Sequence, residues 1–175
     1  EVVVEGDRCV GVVTEKDGKP WRVGARLGVL LNAGGFAHNQ EMRDQYIPHT
    51  RKEWTHAAPG DTGDMHREMM RIGAMMGQMN EFVGNQMALP PDDNEPAGMQ
   101  IQLAKPHAFL VDQSGQRYMN EGGSYMLFCQ GMLERHKTVP AVPSWMIMDA
   151  QFMRRYMLCN SMPGSTKPKL WFDSG

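Results

Sequence analysis

The sequence predicts a mixed fold in two parts, an α/β first part and an α+β second part, from three observations. Residues 2–4, 9–14 and 21–23 are short β-prone runs separated only by turn signals, the pattern of an antiparallel meander. Residues 29–31 form a continuous apolar run that ends in Ala33-Gly34-Gly35. Such a run suits a strand buried on both faces, whose carboxyl end lets backbone approach a ligand. Met65, Met69, Ile72, Met76 and Met79 recur at spacings of four, three, four and three, which predicts one apolar helix face packed on a sheet.

Composition sets the bounds. A chain of 175 residues with 41% hydrophobic content can bury one large core or two smaller ones. A net charge of -2 creates no field for a polyanion, so no nucleic-acid partner is expected. No apolar run reaches the ~18 residues that a membrane-spanning helix needs, so no transmembrane segment is expected. Cys9, Cys129 and Cys159 lack zinc spacing and the six histidines lack HxxxH, so no metal site is expected. The cysteines read as buried thiols in a reducing, cytoplasmic compartment. Seventeen methionines suit plastic core filling or, alternatively, a flexible pocket for a bulky apolar ligand. The opening Glu1-Val-Val-Val-Glu5 reads as the middle of a strand, and the chain is expected to be a piece of a longer one.

Along the chain, Gly6-Asp7 and Asp17-Gly18 supply the meander turns. Asn39 is placed to cap a helix over residues 40–46. Asp61 or Thr62 would cap the methionine-striped helix, with Asp64 in its first turn complementing the helix dipole. A carboxylate or backbone contact from Asp64 to a nucleotide ribose or flavin is the alternative. Residues 89–96 read as a loop whose acids lack calcium spacing. A strand over 108–112 is expected to turn at Gln113-Ser114-Gly115 and pair with 116–119. The loop over 115–125 then gathers Arg117, Asn120, Glu121 and Tyr125. Arg117 and Glu121 suit an ion pair that fixes the loop, and Asn120 suits a bond to its backbone; direct chemistry is the alternative. His107 is either a pocket-lining contact or a solvated turn residue. A helix over 125–136, a proline-bearing linker, a strand over 145–148 and an Asp149-capped helix to Tyr156 follow.

Three stretches, taken together, resemble one family. Leu30-Leu-Asn-Ala-Gly-Gly-Phe-Ala-His-Asn39, Gly60-Asp-Thr-Gly-Asp-Met65 with Ile72-Gly-Ala74, and Val111-Asp-Gln-Ser-Gly-Gln-Arg-Tyr-Met-Asn-Glu121 are similar in order and spacing to segments of fumarate reductase/succinate dehydrogenase-type flavoproteins. Tyr125, four residues after Glu121, and the stretch from Val142 to Tyr156 resemble the 3-ketosteroid dehydrogenase branch. Fumarate reductases carry a proton-relay arginine where this chain has Ser124. Asn32, Ala33, Met65 and Gly122-Gly-Ser124 also depart from the family pattern, and GxGxxG is not found in the chain.

The resemblance implies FAD as cofactor. It further implies that residues 1–82 are the later part of a Rossmann-like FAD-binding domain and 83–175 part of an α+β catalytic, or capping, domain. Gly34, Gly35, Asn39 and Asp64 would then be cofactor-binding. Tyr125 would be the base, at a helix start whose positive dipole end favours a phenolate. Arg117, Asn120 and Glu121 would support it. The implied substrate is a small apolar, steroid-like ketone; the electron acceptor is not implied. Two assisting tyrosines of the family are expected outside these residues, so the fragment alone is expected to be inactive. An unsaturated-acid reductase and a non-catalytic ligand-binding piece are the alternatives.

Overall fold

A computed structural model describes residues 1–88 and 96–163. They form two compact units, Glu1–Asn80 and Glu81–Gly175. The expected loop over 89–96 lies outside the described residues except for Pro96, and so does the patternless stretch from residue 164 onward.

In the first unit, β1 (Val2–Glu5), β2 (Arg8–Lys16) and β3 (Lys19–Gly24) make the expected antiparallel meander in the order β1-β2-β3. Its second turn takes Asp17 and Gly18 to φ of 53° and 72°, the left-handed conformation a tight hairpin requires. The helix α1 (Gln40–Tyr46) is capped by Asn39, whose Oδ1 accepts from the Met42 amide at 3.0 Å. The helix α2 (Asp64–Arg71) follows.

Three expectations for this unit need correcting. Residues 29–31 form no strand, and the Leu30 side chain is 92% exposed. A strand needs a neighbour for its backbone groups, and no described strand lies beside this run. The α2 helix is shorter than the methionine stripe: Gly73, at φ 83°, turns the chain after Ile72, so Met76 and Met79 fall beyond it. Neither Asp61 nor Thr62 caps α2; Gly63 occupies the N-cap at φ 76° and brings no side-chain bond. No α2 residue is buried, so the stripe is not a core face. The tie from α2 to the meander is polar instead. Glu68 Oε1 accepts the Val2 amide at 2.5 Å while Arg71 grips the same carboxylate at 2.8 Å.

The second unit has two small antiparallel sheets around one core. The strands β4 (Met87–Ala88) and β5 (Ala97–Gly98) pair and lead into α3 (Gln100–Leu103). The strand β6 (Ala108–Val111) pairs with β7 (Trp145–Met148), Ala108 facing Met148 and Val111 facing Trp145. The expected hairpin with 116–119 is therefore absent; Asp112 instead closes a tight turn over Ser114 and Gln116. Helices α4 (Tyr125–His136) and α5 (Ala150–Arg155) lie where the sequence places them. Asp149 caps α5, accepting from Gln151 and Phe152. Met99, Leu103, Leu110, Phe128, Phe152 and Leu158 form the core. Met119, Met132, Met146, Met148 and Met153 pack against it, so in this unit methionine does fill the interior. Cys9, Cys129 and Cys159 form no disulfide among the described residues, and no helix among them is long and apolar enough to cross a membrane.

Candidate active site

The first unit joins two glycine loops that are far apart in sequence. Three bonds stitch residues 34–39 to 60–64: Gly63 N to Gly35 O at 3.0 Å, His38 N to Asp61 O at 2.9 Å, and Asn39 Nδ2 to Thr62 O at 2.8 Å. Asn39 thus spends its oxygen on the α1 cap and its nitrogen on the neighbouring loop. Gly34 has φ 74°, and a Cβ there would stand 1.9 Å from Asp61 Oδ1, so the loop junction requires glycine. Gly35 differs, since the side a Cβ would occupy is open space. Asp64 is bound by Thr62 Oγ1 at 3.0 Å and by Arg67 at 2.5 Å. The Arg67 bond holds its carboxyl below the usual carboxylate range, the Thr62 hydroxyl adding to it.

In the second unit the loop over 115–125 is clamped at several points. Glu121 is buried, and its carboxylate accepts from Arg117 Nη2 at 2.6 Å, Arg117 Nε at 3.2 Å and the Leu110 amide at 2.9 Å. Burial raises the Glu121 carboxyl, but the Arg117 and backbone bonds outweigh it and leave the group below its ordinary value. Asn120 Oδ1 accepts from the Gly122 amide at 3.1 Å. Upstream, fully buried Asp112 takes the Ser114 hydroxyl at 2.6 Å and both Nε and Nη2 of Arg135 at 2.9 and 2.8 Å. The loop is therefore tied to strand β6 at one end and to the far end of α4 at the other.

Two phenols belong to this loop, and they are held differently. Tyr118 shares a 2.8 Å bond with Ser144 Oγ, and burial pushes its phenol up. Tyr125 is the first residue of α4 and is 40% exposed, and its hydroxyl forms no hydrogen bond among the described residues. Ser124 stands at the N-cap without a side-chain bond. His107 Nδ1 lies 3.2 Å from Asp149 Oδ2. With Phe109, Arg117 and Ile147 it lines a shallow depression of about 360 Å³ on the outer face of the β6–β7 sheet. A larger depression, about 480 Å³, lies on the meander beside Arg71 and contains none of the candidate residues.

Residues 1–164 match the family described as FAD binding domain. The chain belongs to this FAD-binding family. A 3-oxosteroid 1-dehydrogenase of Mycolicibacterium smegmatis is 31% identical over 187 residues, covering 100% of this chain and 32% of that protein. The crystal structure of 3-ketosteroid Δ1-dehydrogenase from Sterolibacterium denitrificans, in complex with 1,4-androstadiene-3,17-dione, matches with a TM-score of 0.89 and 34% identity. That match covers 97% of this chain and 32% of the other. A 3-ketosteroid-Δ4-(5α)-dehydrogenase from Rhodococcus jostii RHA1, in complex with 4-androstene-3,17-dione, matches with a TM-score of 0.61 and 25% identity, over 83% of this chain and 27% of its own. The chain thus spans about a third of the length of the relatives it matches.

At the stitched loops, two features suit the polar edge of a bound ligand such as FAD. Gly35 leaves its backbone approachable, and the first-turn amides of α2 are spent on no partner among the described residues. Free amides at a helix start are donors suited to an anionic or polar ligand edge. Gly34 and Asn39, by contrast, are accounted for by the join between the loops.

Sequence reading missed Asp112, Arg135 and Gln86 as parts of the clamp. The Asp112–Arg135 pair joins residues 23 apart in sequence, and Gln86 reaches α4 from 39 residues away. Neither separation is a helical or strand period, so no local pattern announces them.

Proposed function

We propose that this chain is part of an FAD-dependent oxidoreductase that introduces a carbon–carbon double bond beside a ring ketone, with a 3-ketosteroid-like substrate. The observation that carries the reading is Tyr125 at the first residue of α4, whose hydroxyl forms no hydrogen bond among the described residues while Arg117, Tyr118, Asn120 and Glu121 of the same loop are all engaged. The desaturation removes a proton from the carbon next to the ketone and a hydride from the adjacent carbon, and the double bond forms between them. Tyr125 accepts the proton at its side-chain oxygen, from the first residue of α4. FAD, when bound, would supply the acceptor for the hydride, with an external oxidant as the final destination of the two electrons. Arg117, Asn120 and Glu121 hold the loop and take no proton. The likeness to two 3-ketosteroid dehydrogenases solved in complex with steroid diones supports an apolar rather than a carboxylate substrate. Ser124, in place of an arginine, supports the same choice.

The test uses the full-length protein loaded with FAD, given 4-androstene-3,17-dione and an artificial electron-accepting dye. Dye reduction is expected, and Tyr125→Phe should lower turnover by about a hundred-fold or more, the scale of acid–base catalysis, with flavin absorbance unchanged. Full turnover by Tyr125→Phe would remove Tyr125 from the role of base. Turnover with fumarate or succinate and none with the steroid would overturn the substrate class.

A further inference from the structure

The segment before β4 runs along the first two turns of α4 and touches it at three places. Glu81 Oε2 accepts from Gln130 Nε2 at 3.0 Å. A Cβ at Gly84 would stand 2.9 Å from Cys129 Cβ, so only glycine lets the backbone seat there. Gln86, 6% exposed, donates from Nε2 to the Tyr125 carbonyl at 3.0 Å and to Cys129 Sγ at 3.4 Å. Both amide hydrogens of Gln86 are thus spent on α4, one turn apart. Its main chain is fixed as well, because Gln86 O accepts the Met99 amide at 2.9 Å, next to the β4–β5 pair.

We propose that Gln86 is a positioning residue for Tyr125. Resting on the reading of Tyr125 as base, the role is to fix where the phenol stands, through its own carbonyl, without touching substrate. A helix start frays unless something holds it, and here the residue that would accept the proton is the first of the helix. An interior carbonyl of a helix needs one partner, the amide four residues on. The Tyr125 carbonyl receives a second donor from a buried side chain, which sets both the rotation of α4 and its position along its axis. Cys129 adds no reactivity here: burial pushes its thiol up to about 11, so at neutral pH it is a neutral filler under the strap.

The experiment replaces Gln86 in the FAD-loaded full-length protein by Met, which keeps the volume and removes both donors, and by Glu, which keeps the shape and removes them in its ionised form. With 4-androstene-3,17-dione, kcat should fall by about ten- to a hundred-fold, as for a displaced catalytic group, while KM stays within about two-fold. Cys129→Ala, which keeps the bond to Tyr125, should stay within about two-fold of wild type in both constants. In a Tyr125→Phe background, Gln86→Met should lower kcat no further, since the two act as one unit. Unchanged kcat in Gln86→Met overturns the proposal while leaving the base assignment intact, whereas full activity of Tyr125→Phe overturns the base assignment itself. A loss in Cys129→Ala equal to that in Gln86→Met also overturns the proposal. So does failure of both Gln86 variants to hold flavin, which would assign Gln86 to folding alone.

Discussion

At the scale of single residues, the loop before α4 depends on two buried carboxylates with the same need. Taking a carboxylate out of water is costly unless hydrogen bonds replace the water. Glu121 meets this with Arg117 and the Leu110 amide, and Asp112 with Ser114, Gln116 and Arg135. Asp112 is held well below the usual carboxylate range, chiefly by the Ser114 hydroxyl, with Arg135 and backbone amides acting against burial. Both groups bind protons more weakly folded than unfolded, so their stabilisation is complete above pH ~5 and is lost as pH falls through ~4 towards the folded values. Melting curves at pH 7, 5 and 3 should show the second unit losing stability at the acid end, and Asp112→Asn should start lower at pH 7 and fall less on acidification. Glu121→Ala should cost about 1–3 kcal/mol, the scale of hydrogen bonds to a buried charge, read by urea unfolding. An unchanged midpoint in Glu121→Ala would mean that the Arg117 pair is incidental.

At the scale of elements, what the sequence revealed was local. Asn39 before α1, Asp149 before α5 and the turn at Asp17-Gly18 are each decided within four residues, and each stands as expected. The meander was legible for the same reason. The α2 helix was read too long because periodicity persists through Gly73, where a left-handed backbone ends the helix whatever the methionines beyond it do. The hairpin after β6 failed because its true partner, β7, lies across the whole loop and α4, and the competing local turn is closed by the Asp112 side chain. In the site, Arg117 and Glu121 were legible as an i, i+4 pair; Leu110, Gln86 and Arg135 are long-range and were not. Asn39 offers an element-scale test because its two ends do different work. Asn39→Asp keeps the oxygen that caps α1 and loses the donor to Thr62, whereas Asn39→Ala loses both. The alanine variant should cost about 1–2 kcal/mol more than wild type and the aspartate variant clearly less in thermal melts. Both should weaken FAD binding in the full-length protein if the stitched loops present the cofactor site. Full FAD affinity in both would show that the join is irrelevant to the cofactor.

At the scale of the whole molecule, the apolar run over residues 29–31 exposes Leu30 between two half-buried neighbours, Val29 and Leu31. Leu27 and Leu30, three residues apart in the first unit, are almost fully exposed. Single exposed apolar residues are ordinary, but contiguous ones mark a surface that another segment covers. Residues 29–31 are also β-prone, and their backbone groups form no ladder among the described residues. A polypeptide of residues 1–175 should therefore bind a hydrophobic dye in its folded state and self-associate as concentration rises. Leu30→Ser should reduce both effects while shifting unfolding by less than about 0.5 kcal/mol, the usual range for a surface substitution. The reasoning turns on exposure: a side chain in water contributes nothing to the fold that serine would remove. If Leu30→Ser instead lowered the unfolding midpoint strongly, Leu30 would be buried in solution, by a neighbouring copy or by the chain itself. Light scattering across a concentration series would separate those two, because only burial by a copy depends on concentration.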